Sequence, residues 1–262
     1  MLGAIAGDII GSCFEFNNTK RTDFELFTDK NTFTDDTVCT IAIADALLKN
    51  GGKDFQTLLV DWCRRYPRRG YGGLFYKWFT NKTQNPYHSF GNGSAIRVSP
   101  VAWFGSSIEE VLRLAGQSAA ITHNHPEGIK GAKAIAHALF LARTGRDKDT
   151  IKKEITTSYA GYYLNKTVDE IRENNVFDAT CQVTVPQALS CFLESDGFEN
   201  CIRLSISIGG DSDTIACMAG AVAEAYYGGV PQNIKDMAMD LLPNEMKEVI
   251  TRFYELTKQV II

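Results

Sequence analysis

The stretch GGDSDTIACMAGAVAEAY, residues 209–226, decides the fold class that this sequence predicts. Beyond its first turn, apolar residues recur every three or four positions, which is the spacing of one face of an α-helix. The apolar positions are Ile215, Met218, Ala219, Val222, Ala223 and Tyr226. A stop signal follows at Gly228, Gly229 and Pro231. The stretch therefore predicts a strongly apolar helix that begins beside two acidic residues, Asp211 and Asp213.

Residues 34–52 follow the same design. Thr34-Asp35-Asp36-Thr37 leads into an alanine-rich segment, residues 38–48, that is apolar on nearly every face, and Asn50-Gly51-Gly52 ends it. A helix that is apolar all round is normally buried among other helices. The chain is thus predicted to contain two central helices, each of which starts at an acidic cluster.

Helical spacing continues through much of the remaining chain, and no alternating strand pattern with hairpin turns competes with it. Ser107 and Glu110 match a capping box at the start of one such helix. The further predicted helices span residues 107–118, 128–143, 149–163, 185–193, 199–207, 233–242 and 245–258. The sequence therefore predicts an all-α chain that forms one domain over residues 1–262.

Four polar or aromatic stretches separate the predicted helices and are expected to be loops. They span residues 15–33, 64–97, 121–127 and 172–180. Loops longer than about 12 to 15 residues in a compact domain tend to be functional or disordered, and the aromatic residues between 75 and 90 argue against disorder. We expect these loops to form the walls of a substrate cleft.

Composition narrows the class of protein further. The chain has 262 residues, 44% of them hydrophobic, and a formal charge of −4, which favours one globular domain and no direct nucleic-acid binding. No window approaches the roughly 18 apolar residues of a membrane span and no basic leader is present, so a cytoplasmic protein without a membrane partner is expected. A monomer is expected as well.

Two further groups of residues suggest no catalytic role. Seven cysteines without a CxxC pair predict reduced, buried thiols rather than a disulfide framework or a zinc site. A basic cluster is interpreted as a solvated loop or a substrate rim, because charge runs are usually solvated; it comprises Arg64, Arg65, Arg68 and Arg69.

The two acidic clusters allow two interpretations. Each alone is typical of a helix N-cap, because Thr and Asp side chains accept hydrogen bonds from the free N–H groups of a first turn. Together they supply four carboxylates at buried helix ends, which repel one another unless a cation neutralises them. Oxygen ligands favour Mg²⁺ or Mn²⁺, and carboxylates shared between two ions are a known two-metal design. HExxH, GxGxxG and Walker A motifs are absent, and the sequence leaves open whether the acidic clusters meet.

Several separated motifs resemble those of the ADP-ribosylglycohydrolase family, and together they cover nearly the whole chain. They are Gly3-x-x-x-Gly7-Asp8-x-x-Gly11 with Glu15, Phe33 to Thr37, Ser89 to Arg97, Thr122-His123 and Gly209 to Ala216. The resemblance implies an orthogonally packed, compact all-α fold with two Mg²⁺ ions, or Mn²⁺ in some members, in a central cleft at helix ends.

The resemblance also implies roles for individual residues. The implied metal ligands are Thr34, Asp35, Asp36, Asp211, Asp213 and Thr214. The residues expected to bind substrate are Ser89, Gly91, Asn92 and Gly93 around the diphosphate, Phe90 stacked on adenine, and His123 near the phosphates or the distal ribose. Glu15 matches the acid that family members carry on a mobile loop over the distal ribose.

The implied reaction is hydrolysis of the glycosidic bond between ADP-ribose and an acceptor. Its transition state resembles an oxocarbenium ion, so Glu15, Asp36 or Asp213 would deprotonate the attacking water or protonate the leaving group. Arginine-linked ADP-ribose on a protein is the expected substrate, as the resemblance is to the dinitrogenase reductase-activating type. Serine-linked, polymeric and small-molecule conjugates remain alternatives, although residues 81–88 do not look like those of serine-specific members. A Mg²⁺-dependent nucleotide phosphohydrolase and a non-catalytic ADP-ribose-binding protein are the rival classes.

Overall fold

The computed structural model describes residues 1–258, and their regular structure is helical. The helices are α1 (Leu2–Gly11), α2 (Asp35–Asn50), α3 (Phe55–Arg65), α4 (Gly73–Thr80), α5 (Gly93–Ile96), α6 (Ser99–Phe104), α7 (Ile108–Ala120), α8 (Pro126–Arg143), α9 (Lys148–Ser158), α10 (Val168–Asn174), α11 (Cys181–Glu194), α12 (Phe198–Ser207), α13 (Ser212–Tyr226), α14 (Gln232–Asp240) and α15 (Asn244–Lys258). Within this part of the chain, the β-type pairing is an isolated bridge between Gly91 and Thr180. The predicted all-α class is confirmed. None of the helices described here is both long and apolar enough to cross a membrane.

Two helices, α2 and α13, form the centre of the fold. Helix α13 is buried from Ser212 to Glu224, and α2 is buried from Asp36 to Leu47. Helix α2 ends at Asn50 and is followed by Gly51, whose φ of 65° is a left-handed conformation that glycine adopts without strain. Both predicted central helices are therefore confirmed.

Helix α1 was not predicted from periodicity, yet it lies against α13. Glycines on the contact face allow this close approach. A Cβ atom on Gly7 would lie 2.2 Å from the carbonyl oxygen of Ala216, and one on Gly11 would lie 2.4 Å from Cα of Asp213. Both distances are far shorter than a van der Waals contact, so the glycines set the backbone separation and bring the end of α1 beside the start of α13.

The loop predicted at residues 64–97 is wrong in part, because this stretch contains α4, α5 and the end of α3. In α4 the buried side chains of Phe75, Trp78 and Phe79 recur at helical spacing. The rings of Phe75 and Trp78 stack with their centroids 5.5 Å apart. Burial of the aromatic side chains stabilises a helix in a segment whose glycines and polar residues are typical of a loop.

Several helix boundaries also differ from the prediction. Helix α9 ends at Ser158 rather than at residue 163, because Tyr159, with φ −123° and ψ 86°, has already left the helical conformation. Helix α11 starts at Cys181 rather than at residue 185, and Pro186 lies inside it. The proline cannot donate to the carbonyl of Gln182, which lies at an exposed position where water can satisfy it. Helices α3, α6 and α10 had no counterpart in the prediction.

The capping box predicted for α7 forms only in part. Ser107 Oγ accepts a hydrogen bond from the Glu110 N–H at 3.3 Å, as predicted. The Glu110 carboxylate, however, accepts from both the N–H and the hydroxyl of Ser106, each at 2.9 Å. The complete reciprocal box occurs instead at α10, between Thr167 and Glu170.

The clustered arginines are mostly exposed, and two of them also pack on aromatic rings. The Arg65 guanidinium lies 3.7 Å from the centre of the Trp62 ring and pairs with Glu245. The Arg69 guanidinium lies 3.6 Å from the centre of the Phe33 ring. These contacts join α3 and the following turn to their neighbours, while Arg64, Arg65 and Arg68 remain exposed, as the interpretation of an exposed cluster expects.

All seven cysteines are free thiols, and all except Cys13 are buried. Burial raises the pKa of the Cys201 thiol to about 12. The prediction of reduced, buried thiols is confirmed, and thiols in such surroundings are inert side chains of the core.

Candidate active site

A cleft of about 450 Å³ opens where the starts of α2 and α13 meet. Every site residue predicted from the sequence lines this cleft except Thr34 and Phe90. All four predicted loop stretches contribute to its walls, among them Glu15, Leu74, Tyr87, Ser89, His123 and Phe177. The expectation that these stretches surround a cleft is therefore confirmed.

The two acidic clusters meet in this cleft. Asp35 and Asp36 enter from the start of α2, and Asp211 and Asp213 enter from the start of α13. Glu15 joins the second pair, since one carboxylate oxygen from each of Glu15, Asp211 and Asp213 lies within 4.8 Å of the others. The fold thus brings together the acids whose proximity the sequence left open.

Asp8 supports the site, although no role was predicted for it. Its buried carboxylate accepts hydrogen bonds from the Thr34 N–H at 3.0 Å, the Thr34 hydroxyl at 2.6 Å, the Thr37 N–H at 3.1 Å and the Thr37 hydroxyl. These bonds hold the turn that presents Asp35 and Asp36. The available signal was that Asp8 is the one charged residue among the first fourteen, in a segment that is otherwise apolar or small.

The N-cap interpretation holds for one acidic cluster and not for the other. Thr34 Oγ1 caps α2 by accepting from the Asp36 N–H at 3.2 Å. Asp211 is the N-cap residue of α13 but makes no side-chain cap bond. Its carboxylate instead accepts from Asn92 Nδ2 at 2.7 Å. The Asp211 carboxylate therefore faces the glycine-rich loop and the cleft.

The electrostatics of the cleft favour protonated acids when no cation is bound. Burial raises the pKa of Asp36 and of Asp213 well above its usual range, and the nearby carboxylates of Asp35 and Asp211 raise it further. Burial, followed by the charges of Asp211 and Asp8, raises the pKa of Glu15 to about 7. None of the ion pairs within residues 1–258 neutralises a carboxylate of this cluster.

The donor set fits a divalent cation. Asp36 Oδ2 and Asp213 Oδ1 are buried and have no hydrogen-bond partner among the described residues. A buried carboxylate oxygen without a partner is unfavourable unless a cation or a proton compensates it. Several carboxylate oxygens in one cleft are the ligands that hard divalent ions prefer. The acidic cluster can therefore hold a metal.

The glycine-rich loop at residues 89–93 borders the acids. Its backbone is held by the segment before α11, because the Asn92 N–H donates to the Ala179 carbonyl at 2.8 Å. A Cβ atom on Gly93 would lie 3.3 Å from Nε2 of His123, so this glycine leaves room for the imidazole. The loop and His123 thus share one wall of the cleft, as the sequence motifs suggested.

Phe90 does not lie in the cleft with the rest of its loop. Its ring packs against His125, with the centroids 5.3 Å apart, and it is 44% exposed. Phe16 and Phe177 do line the cleft, with 87% and 55% of their surface exposed. Phe16 and Phe177 were not singled out from the sequence, whereas Tyr87 is one of the aromatic residues of the predicted wall at 64–97. This geometry gives no support to adenine stacking on Phe90.

The segment that carries Glu15 is tied to the turn before α13. Asn18 Nδ2 donates to the carbonyl oxygens of Glu15 and Gly210, at 3.1 Å each, and Asn18 Oδ1 accepts from the Gly210 N–H at 2.8 Å. Lys20 Nζ donates to the Ile208 carbonyl at 2.6 Å. These bonds place the Glu15 carboxylate over the acids at the start of α13.

An all-α domain with a carboxylate cluster beside a glycine-rich loop is suited to hydrolysis of a substrate with polar, oxygen-rich groups. The sequence matches the ADP-ribosylglycohydrolase family over residues 1–260, and the chain belongs to this family. It is therefore an enzyme that cleaves the glycosidic bond of ADP-ribose. This assignment favours the glycohydrolase over the nucleotide phosphohydrolase and the non-catalytic binding protein.

Individual relatives agree with the family assignment. The ADP-ribosylhydrolase ARH3 of Mus musculus is 28% identical, over 87% of this chain and 82% of its own length. The ADP-ribosylarginine hydrolase Tri1 of Pseudomonas putida (strain GB-1) is also 28% identical, over 92% of this chain and 76% of its own length. A solved structure described as an ADP-ribosylglycohydrolase-related protein complex has a TM-score of 0.73 at 23% identity, covering 98% of this chain and 97% of that one. This structural similarity shows that the two chains share the same fold.

Proposed function

We propose that the chain is a Mg²⁺-dependent hydrolase that releases ADP-ribose from arginine side chains of modified proteins. The observation that carries the metal requirement is the convergence of Glu15, Asp211 and Asp213, whose oxygens lie within 4.8 Å of one another. The orphaned oxygens of Asp36 and Asp213 support it, because a cation would satisfy them. Mn²⁺ also accepts oxygen ligands and is the alternative ion.

The acids have separate tasks in this proposal. Asp35, Asp36, Asp211 and Asp213 would hold two ions, which when bound orient the ribose hydroxyls and stabilise charge near the anomeric carbon. Glu15 lies on a loop rather than at a helix start, and a carboxyl with a pKa of about 7 is suited to exchange a proton with water or with the leaving group. Asn18 holds the backbone of Glu15 against Gly210 during this exchange.

The charge of the cleft supports an arginine acceptor. A guanidinium is cationic in the conjugate and, once the leaving nitrogen has taken up a proton, in the released arginine, and the carboxylates of Glu15 and Asp35 would attract it. One relative is named an ADP-ribosylarginine hydrolase. Serine-linked and polymeric conjugates have leaving groups without that charge, so they gain less from these acids.

The proposal is tested by incubating the enzyme with arginine-, serine- and polymer-linked ADP-ribose, each with Mg²⁺, with Mn²⁺ or with EDTA. We expect free ADP-ribose from the arginine-linked substrate with Mg²⁺ and none with EDTA. Mass spectrometry of the products identifies both the released group and the acceptor. Turnover with EDTA would contradict the metal requirement, and faster release from serine or polymer would contradict the arginine preference.

The metal proposal also predicts how stability depends on pH. In the unfolded chain the cleft carboxyls ionise near pH 4. In the metal-free folded protein their pKa values are raised, that of Glu15 to about 7, so they keep their protons at higher pH. The unfolded state then binds fewer protons, so the free energy of unfolding of the metal-free protein falls as the pH rises through this window. Mg²⁺ replaces the protons, so its stabilising effect should grow with pH.

Thermal unfolding with EDTA or Mg²⁺ measures this effect. We expect the rise in Tm on adding Mg²⁺ to be larger at about pH 8 than at about pH 5.5, since binding is linked to proton release. The Asp213→Asn variant should lose most of this rise. An equal rise at both pH values, or no rise, would show that these carboxyls do not bind the ion.

A further inference from the structure

Three buried side chains form a hydrogen-bonded row behind the glycine-rich loop. Arg97, Thr122 and His123 are 1%, 0% and 4% exposed. The Arg97 guanidinium donates to Thr122 Oγ1 at 2.8 Å, and Thr122 Oγ1 lies 2.7 Å from Nδ1 of His123. None of the ion pairs within residues 1–258 involves Arg97, which also donates to the Ser118 carbonyl at 2.8 Å.

The direction of each bond in this row follows from the chemistry of its first member. A guanidinium has donors and no acceptor, so Thr122 Oγ1 must accept from Arg97. The threonine hydroxyl then has its own proton to donate, and Nδ1 of His123 is the acceptor that the described residues offer it. If Nδ1 carried a proton instead, the buried Thr122 hydroxyl would accept twice and its proton would have no partner, which is unfavourable.

We infer that Arg97 and Thr122 hold His123 as the neutral tautomer that is protonated on Nε2, so that His123 donates a hydrogen bond to an anionic oxygen of the substrate. Nε2 faces the loop, because a Cβ atom on Gly91 or Gly93 would lie 3.6 or 3.3 Å from it. Thr122 does not line the cleft and acts through His123, which makes it a positioning residue.

The charge state of the imidazole agrees with this geometry. Burial, and next the positive charge of Arg97, lower the pKa of His123 well below its usual range. The ring therefore stays neutral at physiological pH, and the position of its single proton decides whether Nε2 is a donor or an acceptor. An unprotonated Nε2 would turn a lone pair toward the loop and repel a phosphate oxygen.

The consequence for binding rests on the proposed function, in which the loop and His123 contact the diphosphate of ADP-ribose. A hydrogen bond to a charged group typically changes affinity by roughly 10- to 100-fold. Replacing Thr122 by Val keeps its size and removes the hydroxyl, so the tautomer is no longer selected. Replacing it by Ser keeps the hydroxyl and serves as the matched control.

The test combines ¹⁵N–¹H NMR of the imidazole nitrogens with calorimetric binding of ADP-ribose to the full chain. The His123→Gln variant assigns the His123 signals among the four histidines. We expect the wild type and Thr122→Ser to show a neutral ring protonated on Nε2. We expect Thr122→Val to show a changed proton distribution and ADP-ribose affinity weaker by roughly 10- to 100-fold.

Each result has a defined meaning. A proton on Nδ1 in the wild type, or on both nitrogens, overturns the inference even if Thr122→Val does not fold. Weaker binding by Thr122→Val with an unchanged tautomer also overturns it. If the wild type has the expected tautomer but neither binds ADP-ribose nor hydrolyses its conjugates, the tautomer assignment stands and the proposed function fails.

Discussion

Replacing Asp213 by Asn is expected to lower turnover with Mg²⁺ by roughly a hundred- to a thousandfold or more, because a metal ion supplies several kcal/mol of transition-state stabilisation. The substitution keeps the shape of the side chain and removes its charge. One carboxylate oxygen of Asp213 lies within 4.8 Å of one oxygen from each of Glu15 and Asp211, and Asp213 Oδ1 has no hydrogen-bond partner among the described residues. Asn keeps one oxygen but loses the negative charge, and the neighbouring acids already face the same point and cannot supply that charge.

The loss of turnover in this variant should not be accompanied by a loss of stability. Asp213→Asn removes one of several mutually repelling acids, so the metal-free protein should be as stable as the wild type or more stable. Ser212→Ala is the matched control, since the Ser212 hydroxyl is buried beside Asp213 without a hydrogen-bond partner in the described part of the chain. We expect it to keep nearly full activity. Circular dichroism, Tm and initial rates measure these effects, and near-normal turnover by Asp213→Asn would remove the basis of the metal assignment.

The second large effect concerns the packing of α1 on α13. Gly7→Ala should lower the free energy of unfolding by roughly 3 kcal/mol or more, at the upper end of what overpacking costs, because the added methyl group meets backbone rather than a flexible side chain. A Cβ atom on Gly7 would lie 2.2 Å from the Ala216 carbonyl oxygen and 2.8 Å from the Cys217 nitrogen. Relief requires α1 to move away from α13, and Asp8 would move with it. Activity should therefore fall in the fraction that still folds.

Gly116→Ala is the matched control for this experiment. Gly116 also lies inside a helix, α7, but a Cβ atom there would meet Cε of Lys133 at 3.0 Å, the far end of a side chain that can move. Since alanine favours a helix over glycine by roughly 0.5–1 kcal/mol, this variant should be neutral or slightly more stable. Urea unfolding of both variants gives the comparison. If Gly7→Ala were as stable as Gly116→Ala, close glycine packing would not be what holds α1 in place.

Apolar helices with clear terminal signals were predictable from sequence, and α13 and α2 are the best examples. Helix α1 was missed because its sequence, LGAIAGDIIG, is apolar on all sides and contains three glycines, which disfavour an isolated helix. Helix α4 was missed for a related reason, since its aromatic residues become a buried face only against the rest of the fold. Tertiary burial outweighs local propensity in both.

The site residues also fall into those that the sequence predicted and those that only the structure revealed. The acidic clusters, the glycine-rich loop and His123 carry their chemistry in residue type and spacing, so they could be singled out along the chain. That Asp8 supports Thr34 and Thr37, that Asn18 holds the Glu15 segment, and that Phe90 points away from the cleft depend on contacts between segments far apart in sequence. Such contacts have no local signature.

By itself the sequence determined the all-α class, the two central helices and the residues with acidic or glycine-rich chemistry, because these follow from local periodicity, capping and side-chain type. Only the tertiary structure decided that Asp36 and Asp213 share one cleft and that Glu15 joins them. The physical reason is the close contact of α1 with α13, where glycines let the backbones touch and so fix the ends of both helices and their acids in one place.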